Sequence, residues 1–160
     1  MRFKIAYALL VACLPFGAVV SADYGLKCSY NDFSGTDTVL EVAGESYIME
    51  YAEKRNETDH RALKKVNETN EYYVYQFMPY YYLYNGEKHL MPAAKQKGIF
   101  VAVSRQGQHI LHLTKDGDQT YQTVMDTNCK LLDTSERDTL FRTVKAKAAP
   151  FLYEPTKPKF

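Results

Sequence analysis

Cysteine, histidine and a run of tyrosines are the residues whose type and spacing in this chain invite chemistry. Cys13 lies in an apolar N-terminal stretch, which leaves Cys28 and Cys129 as the thiols of the remainder. Two lone cysteines near opposite ends of a domain most simply pair in an oxidising compartment. No histidine clusters with either, so a zinc site is not indicated, and neither carries a local signature of a catalytic thiol. His109 and His112 stand three residues apart in a segment that reads as a strand, where such positions face opposite ways. They are read as surface or structural histidines. His112 is expected to be partly buried and hydrogen-bonded. There is no Gly-x-Ser-x-Gly elbow and no His-Glu-x-x-His helix motif. Asp116-Gly117-Asp118 has too few carboxylates in register for calcium and reads as a turn. The sequence therefore points to no catalytic residues, no metal ligands and no cofactor.

Tyrosine is the compositional oddity. Seven of the 14 tyrosines fall between Tyr72 and Tyr84. In Tyr80-Tyr81-Tyr82-Leu83-Tyr84, strand alternation places Tyr80, Tyr82 and Tyr84 on one face. Two readings compete. The rings pack across strands as ordinary sheet residues, or they form an aromatic surface for a sugar, a peptide or a partner protein. Tyr80, Tyr82 and Tyr84 are the candidate ligand-binding residues.

Where these residues act is read from the first 22 positions. Arg2 and Lys4 precede an apolar run from Ile5 to Phe16, and Val20-Ser21-Ala22 supplies small residues before a cleavage point after Ala22. The run is too short for a transmembrane anchor. Leu10-Val11-Ala12-Cys13 offers a second reading, a lipobox that would anchor the protein through a lipid on Cys13. Removing the leader leaves 138 residues with 18 basic and 19 acidic side chains. Nothing in that balance draws the chain to nucleic acid or to an anionic membrane. A protein or carbohydrate partner outside the cytoplasm is expected, with no transmembrane span after cleavage.

The elements that must position these groups are short strands. Ile99–Ser104, His109–Leu113 and Thr120–Met125, separated by Gln106-Gly107 and Asp116-Gly117, read as an antiparallel meander. Val103 should face Ile110, and His112 should lie opposite Tyr121. On this register Val101, Val103, Ile110, His112, Tyr121, Thr123 and Met125 share the core face. Thr38–Val42 and Tyr47–Tyr51 flank Gly44-Glu45 as a second hairpin, Tyr80–Tyr84 and Glu87–Met91 flank Asn85-Gly86 as a third, and Tyr72–Phe77 adds a strand. Glu53 to Glu71 is almost wholly polar and reads as an exposed loop or one short amphipathic helix. Its two sequons, Asn56-Glu-Thr58 and Asn67-Glu-Thr69, matter only in a eukaryotic source. Asp133-Thr-Ser-Glu136 is a capping box, with Leu140, Val144 and Ala148 following at helical spacing up to Pro150.

The expected fold is mainly β: a small antiparallel sheet or barrel of seven or eight short strands, a C-terminal helix and one disulfide. Its divisions are a leader over 1–22, one β-rich domain over 23–149 and an extended tail over 150–160. The outline of leader, early Cys, meander and late Cys resembles small exported proteins such as periplasmic lysozyme inhibitors. The longer Ser-Gly-containing binding motif of those inhibitors is not found here, so no residue role carries over. The leading expectation is a non-enzymatic binding domain. An inhibitor of a secreted hydrolase, presenting 53–71 or the Asn85-Gly86 tip, comes second, and a hydrolytic enzyme third.

Overall fold

The computed structural model describes residues 22–30, 34–91 and 98–153. Positions through Ser21, which hold Cys13 and most of the expected leader, and those beyond Tyr153 lie outside the described residues. Among the described residues there are ten strands: β1 (Tyr24–Tyr30), β2 (Gly35–Val42), β3 (Glu45–Ala52), β4 (Glu57–Glu68), β5 (Tyr72–Phe77), β6 (Tyr80–Tyr84), β7 (Glu87–Met91), β8 (Gly98–Ser104), β9 (Ile110–Asp116) and β10 (Gln119–Leu131). Eight of them close an antiparallel barrel in the order β1-β10-β9-β8-β5-β4-β3-β2, while β6 and β7 form a separate two-stranded sheet. Closure removes both sheet edges, which gives short strands a stable arrangement.

Alternation builds the core. Leu26, Val39, Ile48, Tyr75, Val101, Val103 and Ile110 are fully buried in one cluster inside the barrel, with Tyr24, Leu63, Tyr73 and Phe77 close to it. The intervening positions face outward, and on β2 and β3 the helix covers them. That helix, α1 (Thr134–Ala148), lies across the outer wall of β2, β3 and β4. Phe141 and Val144 bury against Leu40, with Tyr47, Met49, Leu132 and Leu140 around them. Asp133 accepts from the Glu136 backbone N–H at 2.8 Å and the Glu136 carboxylate accepts from the Asp133 N–H at 3.4 Å, the reciprocal cap that the sequence indicates.

Cys28 and Cys129 form the disulfide, with Cα atoms 4.0 Å apart and a sequence separation of 101. They are directly opposed on β1 and β10, inside the distance at which two cysteines can be bridged.

Several expectations need correction. The polar stretch after Glu53 is neither a loop nor a helix. After one short 3-10 turn (Glu53–Arg55) it becomes β4, a 12-residue strand in the barrel wall. β1 has no counterpart in the sequence reading. The meander register holds for Val103 opposite Ile110, but His112 lies opposite Val124, while Tyr121 faces Thr114. The cause is twofold: the tight turn is Gly117-Asp118, and a bulge between Gln122 and Val124 shifts the ladder. Val101, Val103 and Ile110 are buried as expected; the side chains of Tyr121, Thr123 and Met125 lie outside those described. The β2–β3 turn is Ala43-Gly44, not Gly44-Glu45, with φ of 51° and 79°.

Candidate functional site

Acidic residues face inward on strands that otherwise send apolar side chains into the barrel. On β2, alternation puts Asp37, Val39 and Glu41 on the inner face. The two acids sit toward opposite ends of the barrel and meet different surroundings.

Toward the Ala43-Gly44 turn, Glu41 is fully supplied with donors. Lys65 Nζ donates to it at 2.8 Å, Ser46 Oγ at 3.4 Å, and the Tyr75 hydroxyl makes a short hydrogen bond to its second oxygen. Tyr24 and Tyr75 hydroxyls bond one another at 2.7 Å, and Lys65 lies 4.4 Å from the Tyr73 ring centroid. Burial pushes both the Tyr24 and Tyr75 hydroxyls well above the usual tyrosine range. A buried charge with its donors complete is a structural plug.

Toward the other end, four titratable groups from four strands converge. Asp37 comes from β2, Glu50 from β3, His112 from β9 and Asp126 from β10. Register brings them together: Asp37 pairs with Glu50, and Asp126 pairs with Ile110, two residues before His112. His112 Nε2 donates to Asp37 Oδ2 at 2.5 Å, and the Tyr30 hydroxyl donates to Asp37 Oδ1 at 3.0 Å. One donor atom from each of Asp37, Glu50 and His112 lies within 4.8 Å of the others. Asp37 has no exposed side-chain surface, whereas His112 keeps 14% of its own, so solvent meets the cluster at the imidazole.

The electrostatics follow from burial among like charges. Glu50 is pushed up to about 7, first by burial and then by the Asp37 carboxylate, with His112 opposing. Burial, then a proton shared with Asp37, pushes Asp126 up to about 9. His112 is raised; burial opposes its charge, but the hydrogen bond to Asp37 and the charges of Asp37 and Glu50 prevail. Burial raises the Tyr30 hydroxyl as well, followed by Asp37. Near neutral pH the cluster therefore holds protons on carboxyls that water would strip, a state able to give or take a proton.

The tyrosines form a different surface. β6 and β7 turn through Asn85-Gly86 with φ of 50° and 79°, the two-residue turn that the sequence announces. The hairpin is held to the barrel by its base: Leu152 bridges Tyr80, the Tyr153 N–H donates to the Pro79 carbonyl at 3.0 Å, and Lys88 Nζ donates to the Pro150 carbonyl at 3.1 Å. Pro150 to Tyr153, at the start of the expected extended tail, thus dock against this hairpin. Tyr80 is half-buried under the Arg61 guanidinium, 4.3 Å from ring centroid to carbon. Tyr82 stacks on His89 at 5.6 Å, and Tyr84 meets the same imidazole edge-on at 6.0 Å. None of the three is buried in the core. Leu83, Tyr84, Leu90 and Met91 are four of the five large apolar side chains exposed among the described residues, Tyr84 at 63%.

Between this hairpin and β4 opens a cleft of about 450 Å³, walled by Tyr80, Tyr82, Leu83 and Phe151 on one side and by Asp59, His60 and Arg61 on the other. The cleft exists because β4 pairs with β5 only from Leu63 onward, leaving Glu57 to Arg61 paired with β3 alone among the described strands. Burial lowers the His60 pKa, helped by the neighbouring Lys147.

Sequence reasoning identified the Cys28–Cys129 pair. It placed His112 correctly as a partly buried, hydrogen-bonded residue but missed Asp37, Glu50 and Asp126. The available signal was an acid at an inward position of an alternating apolar strand, as in Asp37-Thr-Val-Leu-Glu41. No family model matches this sequence, and neither a curated protein nor a solved structure matches the chain.

Proposed function

We propose that this chain is an exported, non-enzymatic binding domain that recognises a protein partner through the Tyr80–Met91 hairpin and the cleft behind it. The observation that carries this reading is the concentration of exposed apolar side chains on one pinned hairpin, with Leu83 at 56% and Tyr84 at 63%. Grouped exposed apolar residues mark contact surfaces, and tyrosine anchors lose little side-chain entropy on docking. Arg55, Arg61 and Lys147 line the cleft together with Glu57 and Asp59, which pair with the two arginines at 3.5 and 3.3 Å; the cationic excess suits an acidic group on the partner. Export is supported by the leader sequence and by the disulfide, which is consistent with an oxidising compartment.

A hydrolase inhibitor is the narrower form of the same reading. A tight Asn85-Gly86 turn, on a hairpin held at Tyr80 by Leu152 and at Lys88 by Pro150, is the kind of rigid projection that enters an active-site cleft. An enzyme is the competing reading, favoured by the convergence of Asp37, Glu50, His112 and Asp126.

The test is capture of a partner from extracellular or envelope fractions on the immobilised protein, followed by titration of that partner against wild type, Tyr82→Ala and Tyr84→Ala. Each substitution is expected to weaken binding by about 1 to 3 kcal/mol with an unchanged melting temperature. Equal affinity in all three proteins, or parallel loss of binding and stability, overturns the assignment.

A further inference from the structure

We propose that Asp37, Glu50 and His112, with Asp126 beside them, form a site for one divalent transition-metal ion of the zinc class inside the barrel. The geometry comes first. Donor atoms of Asp37, Glu50 and His112 already lie within 4.8 Å of one another, and an ion with ligands at about 2.0 to 2.2 Å spans such a triangle after small side-chain shifts. His112 and Asp37 now share a hydrogen bond of 2.5 Å. Metal binding replaces the shared proton: the imidazole releases it to solvent and turns its Nε2 lone pair to the ion.

Asp126 supplies the independent observation. Its side chain has no exposed surface, and neither carboxyl oxygen accepts from a backbone N–H, a hydroxyl or a cation among the described residues; its one hydrogen-bonding neighbour is the Asp37 carboxyl. Its charge neighbours are Asp37 and Glu50, so the carboxyl is turned toward the cluster. A buried carboxyl without a donor is costly, and the contrast with Glu41 at the other end, which has three donors, shows that this barrel can satisfy an inward acid. A cation between these groups would supply what Asp126 lacks. It would also balance three clustered carboxyls, whose cationic neighbours are His112 and Arg61, the latter paired with Asp59 at 3.3 Å.

The donor set defines the class. One imidazole with two or three carboxylates suits zinc and its first-row neighbours, while calcium requires six or more oxygens. Tyr30, donating to Asp37 at 3.0 Å, would hold that ligand's orientation as outer-shell partners do. Opening toward solvent at His112, exposed by 14%, gives the ion an entry side.

The experiment is titration of chelator-treated protein with Zn2+, and separately with Ca2+, by calorimetry. One Zn2+ per chain is expected, with affinity falling roughly tenfold or more in the isosteric variants Asp37→Asn, Glu50→Gln and Asp126→Asn, and no comparable binding of Ca2+. Wild-type imidazole NMR provides a readout that needs no variant: among the four histidines, His112 should shift with added Zn2+ in step with the calorimetric binding. Absence of stoichiometric Zn2+ binding, equal affinity in all variants, equal binding of Ca2+, or an unmoved His112 resonance each overturns the site.

Discussion

Replacing Glu50 with glutamine should change how stability depends on pH, in a direction and by an amount that its surroundings determine. Glu50 faces Asp37 across one ladder and Asp59 across the other. Burial and the Asp37 charge raise its carboxyl from 4.5 to about 7. A raised carboxyl binds its proton more tightly in the folded chain than in the unfolded one. Its contribution is therefore complete below about pH 4.5 and is lost as pH rises through the folded value. The slope is about 1.4 kcal/mol per pH unit, giving a total near 3 kcal/mol by pH 8. Glutamine has the same shape and cannot ionise. The stability of wild type minus that of Glu50→Gln should thus fall by about 3 kcal/mol between pH 4.5 and pH 8. Urea unfolding of chelator-treated protein in half-unit pH steps measures this difference directly. The corresponding curve for Asp126→Asn should keep falling up to about pH 9, where that carboxyl is held. A difference that stays flat within about 0.5 kcal/mol would refute the assignment of a protonated, buried Glu50.

Reducing the Cys28–Cys129 bond, which spans 101 residues, should lower stability by about 5 kcal/mol on chain entropy; chemical denaturation with and without reductant measures it, and a non-reduced digest should yield the two peptides joined. Ala43 sits at φ 51° in the β2–β3 turn, so Ala43→Gly should raise stability by about 1 kcal/mol, read as an upward shift in Tm. Phe141→Ala empties the contact between α1 and Leu40, Tyr47 and Met49 and should cost about 3 to 4 kcal/mol, with the helix signal and the barrel unfolding together in circular dichroism.

The sequence disclosed elements wherever local chemistry decided them. Asn85-Gly86 requires positive φ at both positions, so its hairpin was readable without any tertiary context. Asp133 and Glu136 announced the helix start for the same reason. β4 was hidden because its inward positions include Asp59, Arg61 and Lys65, which pair with one another or with Glu41 and Tyr80 on other strands, so no apolar alternation marks it. The register of β10 was hidden by a bulge that no residue type signals. The carboxylate and imidazole cluster was invisible to motif spacing, because Asp37, Glu50, His112 and Asp126 meet only when four strands close. Positions three apart, such as His109 and His112, were separated correctly: His109 reaches Tyr72 at 2.8 Å on the outer side, while His112 points inward.

The pairing of β1 with both β2 and β10 bears on how the chain reaches this arrangement. Strands β2 to β5 and β8 to β10 each follow their neighbours in sequence and can zip together over short distances. The seam between β1 and β10 instead joins segments about 100 residues apart, so loop-closure entropy makes it the last ladder to form. Until then two strand edges stand open to other chains. Once the cysteines are joined across that seam, an unfolded chain keeps one residue pair of its closing ladder, Cys28 and Cys129, tied together. An oxidised chain therefore re-forms its barrel without repeating the longest search and spends less time with unpaired edges, whereas a reduced chain must make that search every time.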